Sequence, residues 1–268
     1  MTTNRALVIG LVAGEISGEN LAVDLIDTIA EQTGHTPKLV GVGGDRLRER
    51  GLKSVFDASE IALIGLTSVI ASLPRLIMRI NQTARAMIAA RPDVIILIDS
   101  PDFSHRVAKR LKKALPDVPV IKYVAPTVWA WRPERAAKMT GHIDHVLAIL
   151  PFEPDIMKKL GGPPTHYVGH PLAASEDLAE IWLQREARTQ YGKSETFDLL
   201  VLPGSRSGEI KALLPDFGKA VRTLHERGQR FRIHIPTLPK LVDSIKRETA
   251  SWPVQPRITV AHEDKLEA

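Results

Sequence analysis

Short runs of apolar, mostly β-branched residues alternate along the chain with longer segments whose apolar positions repeat at helical spacing. The runs predict strands at Ala6–Val12, Lys38–Val40, Val94–Ile98, Val118–Val124 and His145–Ile149. The longer segments predict helices at Glu19–Thr33, Val69–Ala90, Ser104–Ala114 and Glu153–Lys159. Near-continuous apolar strands that alternate with helices are typical of an α/β fold with a parallel sheet covered on both faces.

The alternation pauses at His166–Ser175, which contains Gly and Pro and leads into a predicted polar helix at Glu176–Tyr191. A second series then predicts strands and helices in turn, at Leu199–Leu202, Gly208–Glu226, Phe231–Ile235, Lys240–Ala250 and Arg257–Val260. We place a domain boundary between Pro171 and Ser194, with a first domain at residues 1–175 and a second at 176–268. A doubly wound domain normally has five or six strands, so three strands predict that the second domain is incomplete in this sequence.

Composition narrows the class of protein. The 268 residues are 44% hydrophobic and 25% charged, which is ordinary for a globular protein, and they include no cysteine. Disulfides and thiolate metal sites are therefore excluded, and the amino-terminal apolar run is too short for a secretory signal. The net charge of +5 favours anionic partners, but no nucleic-acid-binding motif accompanies it, so nucleic acid is not a predicted partner.

The first strand leads into a Gly-rich turn that contains Gly14, Glu15, Ser17 and Gly18. Open α/β sheets bind ligands at this position, where backbone amides and a helix amino terminus are accessible. The spacing differs from a dinucleotide-binding fingerprint, and Ser17 is a plausible N-cap. Glu15 would repel a phosphate and suits hydroxyl recognition better. A turn with no role beyond geometry is the alternative reading of these glycines.

Two carboxylates follow the strand predicted at Val94–Ile98. Asp99 comes directly after an unbroken apolar run, so burial is expected to raise its pKa towards a value useful for a general base. Asp102 precedes the next predicted helix, where a capping role is the simpler interpretation.

Two loops carry further candidates for binding. The loop after the strand at Val118–Val124 holds two of the four tryptophans, and Trp131 with Arg132 could line a sugar or lipid pocket. In the second domain, Gly204, Ser205, Arg206 and Glu209 lie between a strand and a helix. Glycines, hydroxyls and an arginine at a helix start favour a diphosphate. The spacing lacks the lysine of a P-loop, so nucleotide hydrolysis is not predicted.

The segment from Ile61 to Ile80 is unusually apolar, and Arg75 and Arg79 lie on one helical face within it. Charges at these positions exclude a membrane-spanning helix. Apolar groups beside cations are typical of a segment that lies at a bilayer surface, and a core helix of an α/β domain is the alternative. Substitution of Leu73 and Leu76 by Glu would separate the two interpretations.

Six segments, in this order and at this spacing, resemble the signatures of the lipid-A-disaccharide synthase family: LVAGEISGE at 11–19, IDSPDFS at 98–104, APTVWAWR at 125–132, LPFEP at 150–154, YVGHP at 167–171 and LPGSRSGEI at 202–210. The resemblance implies a GT-B glycosyltransferase with two Rossmann-like domains that face each other across a cleft. It implies transfer of 2,3-diacylglucosamine from its UDP donor to 2,3-diacylglucosamine 1-phosphate, which forms a β-1,6-linked disaccharide 1-phosphate and UDP.

The resemblance also implies a cytoplasmic enzyme peripheral to the inner membrane, with no metal ion and no cofactor. A homodimer is compatible with the sequence, which does not determine the oligomeric state. In the implied reaction, Asp99 is the candidate base. Glu15 either orients a sugar hydroxyl or serves as the base in place of Asp99. The loop at Gly204, Ser205 and Arg206 holds the diphosphate, and Glu209 reaches the ribose.

Two departures from the family pattern are visible. The family is longer, and its later UDP-binding signature has no counterpart here, so we expect little transferase activity from residues 1–268 alone. Ser68 stands where the family often has an acidic residue. The alternatives are another GT-B enzyme, such as a UDP-N-acetylglucosamine 2-epimerase, and a nucleotide-binding fragment without catalytic activity.

Overall fold

The computed structural model describes residues 5–64, 69–174, 178, 181 and 196–260. The chain divides into two compact units, Met1–Ala174 and Ser175–Ala268. Apart from positions 178 and 181, the predicted helix at Glu176–Tyr191 lies outside the described residues, as does Ser68. Each unit is therefore considered by itself.

The first unit contains a parallel sheet of seven strands in the order β3-β2-β1-β4-β5-β6-β7. This order reverses between β1 and β4, and such a reversal is where doubly wound sheets bind their ligands. The strands are β1 (Val8–Ala13), β2 (Lys38–Val42), β3 (Lys53–Ser54), β4 (Val94–Ile98), β5 (Val120–Tyr123), β6 (His145–Ala148) and β7 (Thr165–Tyr167).

Helices cover both faces of this sheet. Alternate residues of β1 and β4 point to opposite faces: Ile9 and Ile96 pack in one apolar cluster, and Val12 and Leu97 pack in the other. Two-sided burial explains why both strands are almost uninterrupted apolar runs. The helices are α1 (Ile16–Thr33), α2 (Asp45–Glu49), α3 (Ser59–Ile64), α4 (Val69–Ala90), α5 (Pro101–Ala114), α6 (Glu134–Met139) and α7 (Glu153–Lys159).

The start of α1 corrects the prediction that Ser17 is an N-cap. The helix begins at Ile16, Glu15 is the N-cap residue, and Ser17 lies exposed in the first turn. The backbone amide of Glu19 donates to the carbonyl of Glu15 at 2.8 Å, which closes the first turn earlier than the sequence pattern indicates. Likewise, α5 begins at Pro101 after an N-cap at Ser100, so Asp102 lies inside the helix.

The second unit contains three parallel strands in the order β10-β9-β8, namely β8 (Thr196–Leu200), β9 (Arg230–Pro236) and β10 (Arg257–Thr259). Two helices, α8 (Ser207–Glu226) and α9 (Val242–Thr249), alternate with these strands. The unit has its own apolar cluster, which includes Ile210, Ile233 and Trp252. The predicted alternation is therefore present, with boundaries that differ by a few residues.

Candidate functional site

The carboxylate of Asp99 joins the ends of β1 and β4. Its Oδ1 accepts a hydrogen bond from the backbone amide of Gly14, and its Oδ2 accepts one from that of Glu15, both at 3.1 Å. Asp99 has a φ of 51°, a left-handed conformation that Asp and Asn tolerate better than most residues. The structure thus brings Gly14, Glu15 and Asp99 together at the point where the strand order reverses.

Burial raises the pKa of the Asp99 carboxyl group above its ordinary value. The hydroxyl of Ser100, the amides of Gly14 and Glu15 and the charge of Lys122 oppose this effect, because each favours the ionised form. A carboxylate with a raised pKa is a stronger proton acceptor than a solvated one.

A buried lysine lies directly beneath this carboxylate. Lys122 on β5 is paired in register with Leu97 on β4, and its Nζ donates to the carbonyl oxygen of Asp99 at 3.0 Å. Its side chain is 3% exposed, and burial lowers its pKa to about 8 despite the nearby charge of Asp99. Lys122 was not among the sequence candidates. A lysine inside the apolar run of β5 was the signal that could have identified it.

The close approach of α1 to Asp99 depends on Gly18. A Cβ atom at this position would overlap Oδ2 of Asp99 and lie 2.9 Å from its Cγ. Gly18 therefore permits the first turn of α1 to pack on the carboxylate. The side chain of Glu15 is half-buried beside it.

The loop after β5 presents an aromatic surface. Trp131 is 67% exposed, and the guanidinium carbon of Arg132 lies 4.9 Å from the centre of a Trp131 ring. Trp129 packs edge-to-face on Phe152, with 5.5 Å between ring centres. Trp131 and Arg132 are thus in contact with each other, and no hydrogen bond in the described structure joins either side chain to Asp99.

In the second unit, Gly204, Ser205 and Arg206 form the loop before α8, and Glu209 lies in the first turn of that helix. The Oε2 atom of Glu209 accepts hydrogen bonds from the backbone amides of Ser205, at 2.9 Å, and Arg206, at 3.2 Å. The Arg206 side chain contacts Oε1 at 3.2 Å. Gly204 has a φ of 100°, and a Cβ there would overlap Oε2 of Glu209. A carboxylate thus lies on the amides that were predicted to bind a diphosphate.

The described side chains of the apolar segment, from Leu73 onwards in α4, lie on two different sides. Leu73, Ile77 and Met78 are exposed, whereas Leu76 is 7% exposed and contributes to the core. Arg79 and Arg75 both form ion pairs with Glu60, at 2.6 and 2.9 Å. Arg79 is partly buried between Glu60 and the ring of Phe56, so of these two cations Arg75 is the more exposed. Among the described residues, no helix has the length and apolar character needed to cross a bilayer.

Similarity to known proteins agrees with the six sequence signatures. The lipid-A-disaccharide synthetase family model matches residues 9–265. The chain belongs to the lipid-A-disaccharide synthase family. The relative from Bradyrhizobium diazoefficiens is 42% identical over 258 residues, covering 96% of this chain and 65% of that protein. The relative from Nitrobacter winogradskyi is 41% identical over 267 residues, covering 100% of this chain and 67% of that protein. The chain thus spans about two thirds of the length of these family members.

Solved structures with a similar fold include enzymes that act on sugar nucleotides. The UDP-N-acetylglucosamine 2-epimerase from Neisseria meningitidis, solved with UDP-GlcNAc, has a TM-score of 0.57 at 12% identity, covering 98% of this chain and 74% of that one. A UDP-forming α,α-trehalose-phosphate synthase from Burkholderia vietnamiensis has a TM-score of 0.54 at 11% identity, with 98% and 71% covered. These likenesses confirm the predicted GT-B-like α/β fold, and at such identities they carry no information about the reaction.

Proposed function

We propose that the protein containing this chain transfers a 2,3-diacylglucosamine unit from its UDP donor to 2,3-diacylglucosamine 1-phosphate, releasing UDP. The observation that carries the proposal is the Asp99 carboxylate at the switch point of a sheet in a member of the lipid-A-disaccharide synthase family. A glycosyl transfer by direct displacement needs a base for the acceptor hydroxyl and positive groups for the departing diphosphate.

Asp99 is the proposed base. The two amide hydrogen bonds fix its carboxylate, and burial raises its pKa, so it can accept the proton of the acceptor 6-hydroxyl as the oxygen attacks the anomeric carbon. Lys122 holds the backbone of Asp99 from below and limits the rise in its pKa. Glu15, half-buried in the same turn, is proposed to orient a sugar hydroxyl.

The loop of the second unit is the proposed site for the UDP diphosphate. The Glu209 carboxylate contacts the amides of Ser205 and Arg206, which indicates that these amides are arranged to hold an anionic group. In this proposal the diphosphate displaces the carboxylate, Arg206 contacts the phosphates, and the released Glu209 side chain is available to the ribose. Trp131 and Arg132 are proposed to line the sugar-binding region of the first unit.

The decisive experiment is an activity assay on a full-length protein that carries this sequence. Incubation with both substrates should yield UDP and the disaccharide 1-phosphate in equal amounts, and omission of the acceptor should abolish UDP release. If the sugar nucleotide instead epimerises at C2 without any acceptor, the proposed reaction is wrong and the protein is an epimerase.

We also propose that the protein works at the cytoplasmic surface of the inner membrane, because its substrates carry acyl chains. The exposed apolar side chains of Leu73, Ile77 and Met78 on α4 are the proposed contact with the bilayer, and the adjacent Arg75 is 59% exposed. Leu76 faces the core, so a double substitution that includes it would unfold the unit whether or not α4 meets lipid.

Vesicle co-sedimentation tests this surface. Replacement of Leu73 and Ile77 by Glu should reduce binding to phosphatidylglycerol-containing vesicles and leave the thermal unfolding midpoint nearly unchanged. Leu213→Glu is the matched control, because Leu213 is 41% exposed on α8 in the second unit. Equal vesicle binding by the double variant and the control would contradict the proposed contact.

A further inference from the structure

The first unit contains a basic pocket outside the group of residues around Asp99. It has a volume of about 220 Å³ and lies between α5 and α6. Its charged lining consists of Arg106 and Lys109 from α5, Arg135 and Lys138 from α6, and the carboxylate of Asp102. The positive charges outnumber the negative ones by three. Within the described part of the chain, none of these four cations forms an ion pair.

Two histidines form the wall of the pocket. Nδ1 of His105 and Nε2 of His142 are 3.0 Å apart, and the rings pack edge-to-face. His142 is 5% exposed. Burial, His142 and the nearby cations Lys122, Lys109 and Arg135 lower the pKa of His105 to about 4. The pair is therefore neutral at pH 7, with one N–H shared between the two facing nitrogens. A bound anion would oppose the cations and raise the pKa of His105.

The position of the pocket relates it to the reaction. Pro101 follows Asp99 by two residues, and Pro126 lies just after β5, so both lie where neighbouring parallel strands end. An acceptor hydroxyl placed at Asp99 is separated from the phosphate of the same sugar by one pyranose ring. The phosphate should then lie close to the carboxyl edge of β4 and β5, where Pro101 and Pro126 line one end of the basic pocket.

We infer that this pocket, formed by Arg106, Lys109, Arg135, Lys138 and the His105–His142 pair, binds the phosphate monoester of the acceptor sugar. The inference rests on the proposed function, which supplies an acceptor with a 1-phosphate. Lysines and arginines that converge on a small cavity suit a dianionic phosphate, because each contributes a charge-assisted hydrogen bond. The pocket then also determines which acceptors are used, since a sugar without the phosphate leaves the cations unpaired.

Binding measurements on the 268-residue chain test the inference separately from catalysis. The probes are inorganic phosphate, a short-acyl 2,3-diacylglucosamine 1-phosphate and the same sugar without its phosphate. The phosphorylated sugar should bind at least about 100-fold more tightly than the unphosphorylated one. Lys109→Gln and Lys138→Gln should each weaken its binding by about tenfold and leave binding of the unphosphorylated sugar unchanged.

Lys113→Gln is the matched control, because Lys113 is exposed on α5, carries the same charge and does not line the pocket. It should bind the phosphorylated sugar like the parent chain. The imidazole resonances of His105 should also move on addition of that sugar, with an increase in the pKa of His105. His142→Gln should remove the hydrogen bond between the two rings and leave the four cations of the pocket in place.

Three outcomes would overturn the inference. An equal loss of affinity in Lys113→Gln and the pocket variants would mean that only the overall charge matters. Affinity independent of the sugar phosphate would mean that the pocket does not contact it. Binding of inorganic phosphate in the pocket, with no effect of the substitutions on the acceptor, would identify a free-anion site. Failure of the proposed function would be visible elsewhere, as absence of product in the transfer assay.

Discussion

Two carboxylates in this protein each accept hydrogen bonds from a pair of successive backbone amides, one pair per unit. Asp99 accepts from Gly14 and Glu15, which are 85 and 84 residues away in the chain. Glu209 accepts from Ser205 and Arg206, which are 4 and 3 residues away. Asp99 is partly buried above Lys122, whereas the side chain of Glu209 is 38% exposed.

The difference separates a fixed group from an exchangeable one. Asp99 is held by two strands, a helix turn and a buried lysine, so its position is determined by the fold. Glu209 caps its own helix from a solvent-exposed position. Such a local contact contributes only about 1 kcal/mol to the stability of the fold. In the proposed function, a ligand phosphate would therefore replace Glu209 at small cost, while displacement of Asp99 would disturb the packing of the whole switch point.

The largest expected effect follows substitution of the fixed carboxylate. In a full-length protein that carries this sequence, Asp99→Asn should lower turnover by roughly 10²–10⁴-fold with little change in donor affinity, because the amide cannot accept the proton and retains only one of the two backbone hydrogen bonds. Steady-state kinetics measures both quantities. Asp117→Asn, an exposed carboxylate, is the control. Turnover near that of the parent would exclude Asp99 as the base.

Two glycines near helix starts provide the second contrast. Gly18→Ala places a methyl group on the Asp99 carboxylate, so we expect a loss of about 1–3 kcal/mol in the free energy of unfolding of the first unit. The methyl group added by Gly208→Ala would meet no atom within 4 Å. This substitution should therefore stabilise α8 by up to about 1 kcal/mol. Denaturant unfolding measures both changes. Similar effects at the two positions would show that Asp99 is not rigidly placed.

The lysine beneath Asp99 should make stability depend on pH. Burial lowers the pKa of Lys122 to about 8 from 10.5, so the unfolded chain binds more protons between these values and stability rises with pH in that window. Lys122→Met should lose this contribution, which amounts to about 1 kcal/mol per pH unit. The unfolding free energy of the parent minus that of the variant, measured from pH 7 to pH 10, should therefore increase with pH.

The same substitution should also affect catalysis. Lys122 lowers the pKa of Asp99, so its removal should raise that pKa further and shift the acidic limb of the pH–rate profile to higher pH. A lysine with a structural role alone would leave the profile in place.

The smallest expected effects belong to the exchangeable loop. Arg206→Ala should weaken UDP binding, and Arg206→Lys should restore it only in part, because lysine cannot form a two-pronged contact. Glu209→Gln should strengthen UDP binding a few-fold if the diphosphate must displace a charged carboxylate. Calorimetry with UDP measures all three variants. Weaker binding by Glu209→Gln would instead indicate a direct contact between Glu209 and the nucleoside.

Buried strands were the part of the fold best predicted from sequence, because burial on both faces leaves an apolar run such as Val94–Ile98. The short elements β3, β7, α2, α3 and α6 contain between two and six residues, too few for a periodic pattern. They form through tertiary contacts: the amide of Leu47 in α2, for example, donates to the buried side chain of Glu19.

The candidate site was predictable only in outline. The end of a buried strand identified Asp99, but its partners at Gly14 and Glu15 depend on pairing between distant strands. The same limit applies to His105 and His142, which are 37 residues apart. Glu209 was expected to contact a ligand, and its hydrogen bonds to Ser205 and Arg206 could not be anticipated, because a capping box normally begins with Ser or Thr.

The 85-residue separation between Gly14 and Asp99 also has a consequence for the order of folding. Closing so long a loop costs entropy that local helix formation does not, so the contact should form late, after α1 and α5 have become helical. The Glu209 contact closes within a single helical turn and should form early. During refolding, we therefore expect helical circular dichroism to recover before catalytic competence, with the rate of the later step set by the pairing of β1 with β4.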